Sequence, residues 1–418
     1  FREHTETNVA VLAPTGVAAA NIRGQTIHSF FRFRPDVTVE TAAKTANRLL
    51  KRGKTEVYQK LDALLIDEIS MVRADLLDCV DAFLRAARRK KSVPFGGVKM
   101  IFIGDLYQLP PVVRSAEKRI FTDHYPGIYF FDSRVFSQIQ AEMVELEKVY
   151  RQSDGEFIRL LNAVRNNSLT PEDTALFNRR FQPRFDPKGE MFVTLTATND
   201  QARFINSEKL ASLGAKLMRY HGEVVGEFAN ETPPTDEVLG LKEGAQVMLL
   251  NNDPLGRWVN GTMAVITRLK PGEVRVRLET GGEEEVGLFT WNLFRYDYDA
   301  GKKRLFTEEI GSFTQYPIRL AWAVTIHKSQ GKTFERVIID VGRGTFATGQ
   351  MYVALSRCRT LTGMVLKKRL ERRHILVDYR IVKFLTGFQY GVSEKKMPLE
   401  EKMAVIERAI AEKGALSI

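Results

Sequence analysis

The run Leu64-Leu65-Ile66-Asp67-Glu68 limits what this chain can fold into more than any other stretch. An apolar run that ends on two adjacent carboxylates reads as a strand buried on both faces. Such strands belong to parallel sheets, whose carboxyl edge carries the ligand in open α/β folds. Two further stretches repeat the pattern. Val9-Ala10-Val11-Leu12-Ala13 stops at Pro14-Thr15-Gly16, and Val98 to Gly104 stops at Asp105. An α/β sheet with polar turns along one edge is therefore expected. Taken alone, Asp67 and Glu68 suit a solvated strand end equally well.

At 418 residues the chain exceeds one ordinary core, and about two to four domains are expected. Its 44% apolar and 27% charged residues are those of a globular protein. No apolar stretch is long enough to span a bilayer, and the start is not signal-like. Phe1 leads within a few residues into a strand, so a fragment lacking its own N-terminus is expected, and with it any targeting segment. Cys79 and Cys358 lie far apart, which supports neither a disulfide framework nor a zinc site. The six histidines are scattered, and the net charge of +11 suggests a polyanion partner.

In chain order, Pro14-Thr15-Gly16 is a turn from which a helix can begin, offering the Thr15 hydroxyl and amide to phosphate. Gly24-Gln25-Thr26-Ile27-His28-Ser29-Phe30-Phe31 adds hydroxyls, an imidazole and two aromatics. These groups suit a sugar-phosphate backbone and stacked bases, although a core aromatic pair beside a helix cap is the simpler account of that segment. Arg32–Lys60 is basic and short on periodic apolar positions, so it is expected to be a small insertion, a helical wedge or loop; a solvated basic face is the alternative. After Asp67-Glu68, Val72, Leu76, Val80, Phe83 and Leu84 recur at helical spacing with Ser70 as cap. The run Arg85, Arg88, Arg89, Lys90, Lys91 is expected to be solvated first and DNA-facing second.

A nucleotide-hydrolysing site needs a carboxylate for Mg²⁺ and a group that orients water. Asp67 suits the metal, Glu68 the water, and the Gln108 amide suits a terminal phosphate. Prolines 110 and 111 make the third turn a rigid loop. A helix is expected at about Gly155 to Arg165, a domain boundary near Asp186-Pro187, a strand at Phe192–Thr196 and a helix from about Asp200 to Ser212. From Leu241 to Phe313 the period changes to two, with turns at Pro271-Gly272, Gly281-Gly282 and Ala300-Gly301, which predicts a small barrel inserted in the α/β frame. Val337–Asp340 and Gly363–Leu366 return to buried strands. The tail carries Leu399, Met403, Ile406 and Ile410 on one helical face.

Together these segments resemble the Pif-one (petite integration frequency) helicases, superfamily 1B enzymes related to the RecD type. The matching motifs run in the family's order: Ala13-Pro14-Thr15-Gly16; Gly24 to Phe30; Asp67-Glu68-Ile69-Ser70-Met71; Gly104-Asp105 with Gln108 to Pro111; Tyr150-Arg151-Gln152; Thr325-Ile326-His327-Lys328-Ser329-Gln330-Gly331; and Tyr352 to Arg357. The resemblance implies an α/β protein of two tandem RecA-like (P-loop NTPase) lobes. Residues 1–186 would form the first, with 32–60 as its wedge. Residues 187–240 and 314–380 would form the second, 241–313 an SH3-like barrel inserted in it, and 381–418 a helical tail.

It further implies ATP and Mg²⁺ between the lobes, with Asp67 on the metal, Glu68 on the hydrolytic water and Gln108 on the terminal phosphate. Arg151 and Arg357 would be arginine fingers, with Gly331 and Glu335 near the nucleotide. Pro14, Thr15, Gly16, Thr26, His28, Ser29 and Phe30 would hold DNA on one lobe. Thr325, His327, Lys328, Ser329 and Gln330 would hold it on the other. The implied activity is ATP-dependent 5′→3′ unwinding in genome maintenance, on single strands, junctions and G-quadruplexes, by a monomer. It would act in the nucleoid of a bacterium, the favoured source, or in a eukaryotic nucleus or mitochondrion. A silent single-strand-binding scaffold and a RecD-like subunit of a recombination nuclease are the competing readings. The family's GxxxxGK[ST] loop should precede Val9 and is absent, while Gly53-Lys54-Thr55 and Gly331-Lys332-Thr333 lack its spacing. The expectation is that the chain begins after that loop and needs the upstream residues to bind ATP normally.

Overall fold

The computed structural model describes residues 7–22, 24–113, 117–146, 151–152, 154–230, 232–342 and 347–396. The chain divides into two units, Phe1–Ile139 with Val149–Leu376, and Gln140–Lys148 with Val377–Ile418. In the second, the segment at Val144 and Leu146 is exposed and a helix runs over Tyr379–Lys396. The expected helical face from Leu399 to Ile410 lies outside the described residues, as does Tyr150.

In the first unit, β1 (Val9–Ala13), α1 (Gly16–Asn21), β2 (Gln25–Thr26) and α2 (Ile27–Phe31) open the chain. The helices α3 (Val39–Lys51) and α4 (Glu56–Gln59) precede β3 (Ala63–Ile66), α5 (Ala74–Ala87) and β4 (Lys99–Phe102). The strands form a parallel sheet in the order β2-β1-β3-β4. Leu12 pairs with Ile66 and Ile66 with Phe102, so Pro14, Asp67 and Gly104 leave the sheet at one edge. That alignment, set by three short apolar runs, gathers their polar turns.

The segment 32–60 is helical. On α3, Ala42, Ala46 and Leu49 are buried at helical spacing, a pattern muted in the sequence because two of its three members are alanine. The helix after β3 starts at Ala74, not Ser70, because Ile69–Met71 forms a separate 3-10 turn. Its inward residue is Leu77, with Leu76 only partly buried. The basic run that follows is not simply solvated. Arg85 pairs with Asp81 at 2.7 Å, and Arg88 donates to the carbonyls of Tyr58, Gln59, Leu61 and Gly96.

After α6 (Lys118–His124), α7 (Gly155–Arg165) and α8 (Pro171–Asn178), the second lobe begins with β5 (Val193–Thr196) and α9 (Asn199–Ser212). An excursion then carries β6 (Met218–His221), β7 (Glu223–Gly226), β8 (Val238–Leu241) and β9 (Gln246–Leu249). It continues through β10 (Met263–Lys270), β11 (Glu273–Leu278), β12 (Glu283–Val286), β13 (Phe289–Asp299), β14 (Arg304–Gln315) and β15 (Ile318–Leu320). The lobe closes with β16 (Ala323–Thr325), β17 (Val337–Asp340), α10 (Gln350–Ser356) and β18 (Met364–Leu366), its parallel sheet ordered β16-β5-β17-β18.

The barrel sheet is antiparallel, ordered β12-β11-β10-β9-β15, around Val247, Leu249, Ile266, Val274, Val276 and Trp258. The inserted strands therefore extend beyond 241–313. β7 pairs with β14 and β15 with β9, while β6 and β8 pair with each other and bury Tyr220, Leu239 and Leu241 in the barrel core. The hairpin β13–β14 reaches back to the first lobe. There the Tyr296 hydroxyl accepts from the Val11 amide at 3.0 Å, and the Tyr296 amide donates to Gln25 Oε1 at 3.0 Å.

Candidate functional site

The end of β3 makes a tight corner. The Asp67 amide donates to Leu12 O at 2.9 Å, and Asp67 Oδ1 accepts the Glu68 amide at 2.9 Å. Glu68 takes φ 50° and ψ 44°, a left-handed conformation that side chains enter at a cost. The Ile69 amide, bonded to Ile103 O at 2.9 Å, pins the corner to the end of β4. Burial, then the neighbouring Asp67, raises the Glu68 carboxyl above its ordinary value.

Gln108 donates from Nε2 to Asp105 Oδ2 at 3.1 Å, and the Tyr352 hydroxyl of α10 reaches the same oxygen at 3.4 Å. This loop abuts the second lobe closely. A Cβ on Gly349, at the N-terminus of α10, would stand 2.3 Å from Gln108 O and 2.5 Å from Tyr107 O, and the residue has φ 72°. Only glycine fits there.

Arg357, just after α10, is fully buried. Its Nε donates to Val353 O, its Nη1 to Ser329 O and Lys332 O, and its Nη2 to Ser356 Oγ. Burial, then the like charge of Arg151, pushes Arg357 down to about 9, so it is still a cation at neutral pH. Arg151 is lowered chiefly by burial, and its Nη2 reaches Gly331 O at 3.5 Å. Among the described residues, neither guanidinium has a carboxylate within ion-pair distance. Gln152, buried, holds the segment to α10 by donating to Ser356 O at 3.0 Å and Cys358 O at 3.2 Å. Glu68, Asp105, Arg151, Tyr352 and Arg357 thus lie within electrostatic reach of one another.

Of the residues expected to hold DNA on the first lobe, Pro14, Gly16, Thr26, His28, Ser29 and Phe30 line one groove of about 1450 Å³. Thr15 accepts from the Ala18 amide, and Thr26 caps α2 by accepting the Ser29 amide at 3.1 Å. Phe30 needs correction as a stacking face. It is 4% exposed and packs edge-on against Phe31, Tyr58 and Tyr296. The far walls of the groove are the 32–60 insertion and the β13–β14 hairpin. Its charge is mixed, since Arg73 pairs with Asp75 and Glu117, and Arg295 with Glu227. Burial lowers His28, leaving a neutral imidazole at pH 7.

The second-lobe motif does not line that groove. Thr325 and Ser329 are buried and spend their hydroxyls locally, Thr325 accepting the Lys328 amide and Ser329 donating to Ile326 O. That arrangement corrects both as direct contacts, because a tight turn needs its own hydroxyl caps. Lys328 is exposed, and His327 and Gln330 are half-buried. Glu335 is exposed and paired with Arg359 at 2.5 Å. Asp105, Gln152 and Tyr352 had no role that sequence reasoning assigned. Their presence inside named motifs was the available signal.

Two parallel α/β lobes meeting at a crevice of carboxylates, an amide and two arginines define a tandem RecA-like protein of the P-loop NTPase class. Residues 2–174 match the family model described as PIF1-like helicase. The chain is 34% identical over 395 residues to the ATP-dependent DNA helicase PIF1 of Homo sapiens, covering 93% of this chain and 58% of that protein. It is 32% identical to the ATP-dependent DNA helicase Pif1 of Bdellovibrio bacteriovorus, covering 93% and 84%. A crystal structure of Bacteroides sp Pif1 in complex with ADP-AlF4 superposes with a TM-score of 0.83 at 36% identity, covering 93% of this chain and 89% of that one. The chain belongs to the PIF1-like helicase family. It spans little more than half the length of the human relative.

Proposed function

We propose that the chain is the motor region of an ATP-dependent DNA helicase that moves 5′→3′ along single-stranded DNA and unwinds duplex and G-quadruplex DNA in genome maintenance. The observation that carries this reading is the pair of desolvated guanidiniums, Arg151 and Arg357, which among the described residues have no carboxylate at ion-pair distance. A buried cation without a directly paired anion is costly, and a polyphosphate is a ligand that offsets that cost. The donor chemistry at the β3 corner fits the metal: Asp67 stands where the strand leaves the sheet, and Mg²⁺ is usually held by one or two carboxylates together with phosphates and water. Asp67 would hold it.

The bound triphosphate supplies a transferable γ-phosphoryl group. Glu68 orients and deprotonates the attacking water, while Gln108, steadied by Asp105, contacts the terminal phosphate. Arg357 and Arg151 neutralise developing charge, and because Arg357 belongs to the second lobe, hydrolysis depends on lobe closure. Thr15, Thr26, His28 and Ser29 grip the strand backbone on one lobe; His327, Lys328 and Gln330 grip it on the other. Alternation of the two grips converts closure into stepping. Among the described residues no helix is long and apolar enough to cross a membrane; the proposed setting is the nucleoid, or a nucleus or mitochondrion.

Strand displacement by the full-length protein on 5′- and 3′-tailed duplexes tests the reading. ATP-dependent release of the 5′-tailed substrate, abolished in Glu68→Gln with DNA binding retained, is the expected result. Unwinding that persists in that variant removes Glu68 from its role.

A further inference from the structure

One short turn of the second lobe touches three groups of the crevice in succession. The Ser329 carbonyl accepts from Arg357 at 3.5 Å, and the Gly331 carbonyl accepts from Arg151 at 3.5 Å. Between them, Gln330 Nε2 crosses to the first lobe and donates to Glu68 Oε2 at 3.1 Å. The residues just before, His327 and Lys328, belong to the strand-gripping surface of the reading above, on which this inference rests. A single turn of five residues therefore joins the DNA side to the group that handles water.

We propose that Gln330 is a positioning residue that holds the Glu68 carboxylate while no DNA is bound and releases it when a strand engages the turn. Glu68 itself has little freedom, since its backbone is fixed between Asp67 and the Ile69–Ile103 bond. The mobile partner is the glutamine, whose amide is equally able to donate to a phosphate or a base edge. While Gln330 occupies Oε2, that lone pair is unavailable to water, and hydrolysis without DNA is slow. When DNA takes the amide, the carboxylate is freed and the site fires only on its track.

The test uses the full-length protein with oligo-dT as the probe. Gln330→Ala, and Gln330→Leu, which keeps the volume while removing the donor, are each expected to raise DNA-free ATP hydrolysis about 5- to 20-fold. The stimulation ratio should fall correspondingly. A second readout needs no nucleotide. Glu68→Ala frees the glutamine, so oligo-dT affinity should rise about 3- to 10-fold in the wild-type background and stay unchanged in the Gln330→Ala background. Equal losses of DNA-free and DNA-stimulated hydrolysis, or an identical effect of Glu68→Ala in both backgrounds, would overturn the proposal. Absence of hydrolysis in the wild-type protein would sink the helicase reading instead, while the affinity cycle still decides the role of Gln330.

Discussion

Glu68, the proposed base, occupies a left-handed backbone position, desolvated and beside a second carboxylate. Its raised pKa has a definite sign for catalysis. The base is the ionised form, so the rate is full above the raised value and is lost as pH falls through it. The acid limb of the ATPase profile should therefore sit above the ordinary glutamate value of about 4.3, measured as kcat/KM against pH, which reports the free enzyme. For Arg357, replacement by alanine should lower kcat by about 10³–10⁵ with little change in oligo-dT affinity, read by single-turnover hydrolysis and fluorescence anisotropy. These carboxylate and arginine positions were visible as motif letters. Gln152, Asp105 and Tyr352 stood in the same motifs without a legible role, because their work is to hold other residues and depends on partners placed by the fold. Phe30 shows the opposite case. An aromatic in a DNA-facing motif looks free to stack until the hairpin and Tyr58 are packed against it.

At the scale of elements, the decisive joints are glycine and arginine positions. Gly349 meets the Gln108 loop so closely that an added methyl has no room. Gly349→Ala should cost about 1–3 kcal/mol and depress hydrolysis with it, measured by thermal unfolding and steady-state ATPase. Arg88 ties α5 to α4 and the β3 approach through four carbonyls. Arg88→Ala should lower stability by about 2–3 kcal/mol, seen as a reduced Tm, and should leave the salt dependence of DNA binding unchanged. The strands of the two parallel sheets were mostly legible as apolar runs, and α7 was expected at its observed span, Gly155–Arg165. Helix α3 was hidden by its small buried residues, and the true ends of the insertion were hidden because β6, β7, β8 and β15 are only three or four residues long and their sheets are set by partners elsewhere in the chain.

For the whole molecule, a net charge of +11 and a groove framed by two lobar elements and a hairpin point to backbone contacts. Oligo-dT affinity should fall with salt at a log–log slope of about −2 to −4; affinity unchanged between low and physiological salt would contradict this. The groove's own ion pairs, Arg73 with Asp75 and Arg295 with Glu227, place a ceiling on that slope. Local pattern alone determined the parallel strands, the polar turns at their ends and the family, because burial on both faces and turn chemistry are written within a few consecutive residues. Tertiary structure decided what no such window contains: that the hairpin returns to close the groove, that Gly349 meets Gln108, and that Gln330 reaches Glu68. Each is a meeting of atoms more than two hundred residues apart in the chain, and only the register of two sheets and the docking of two lobes bring them together.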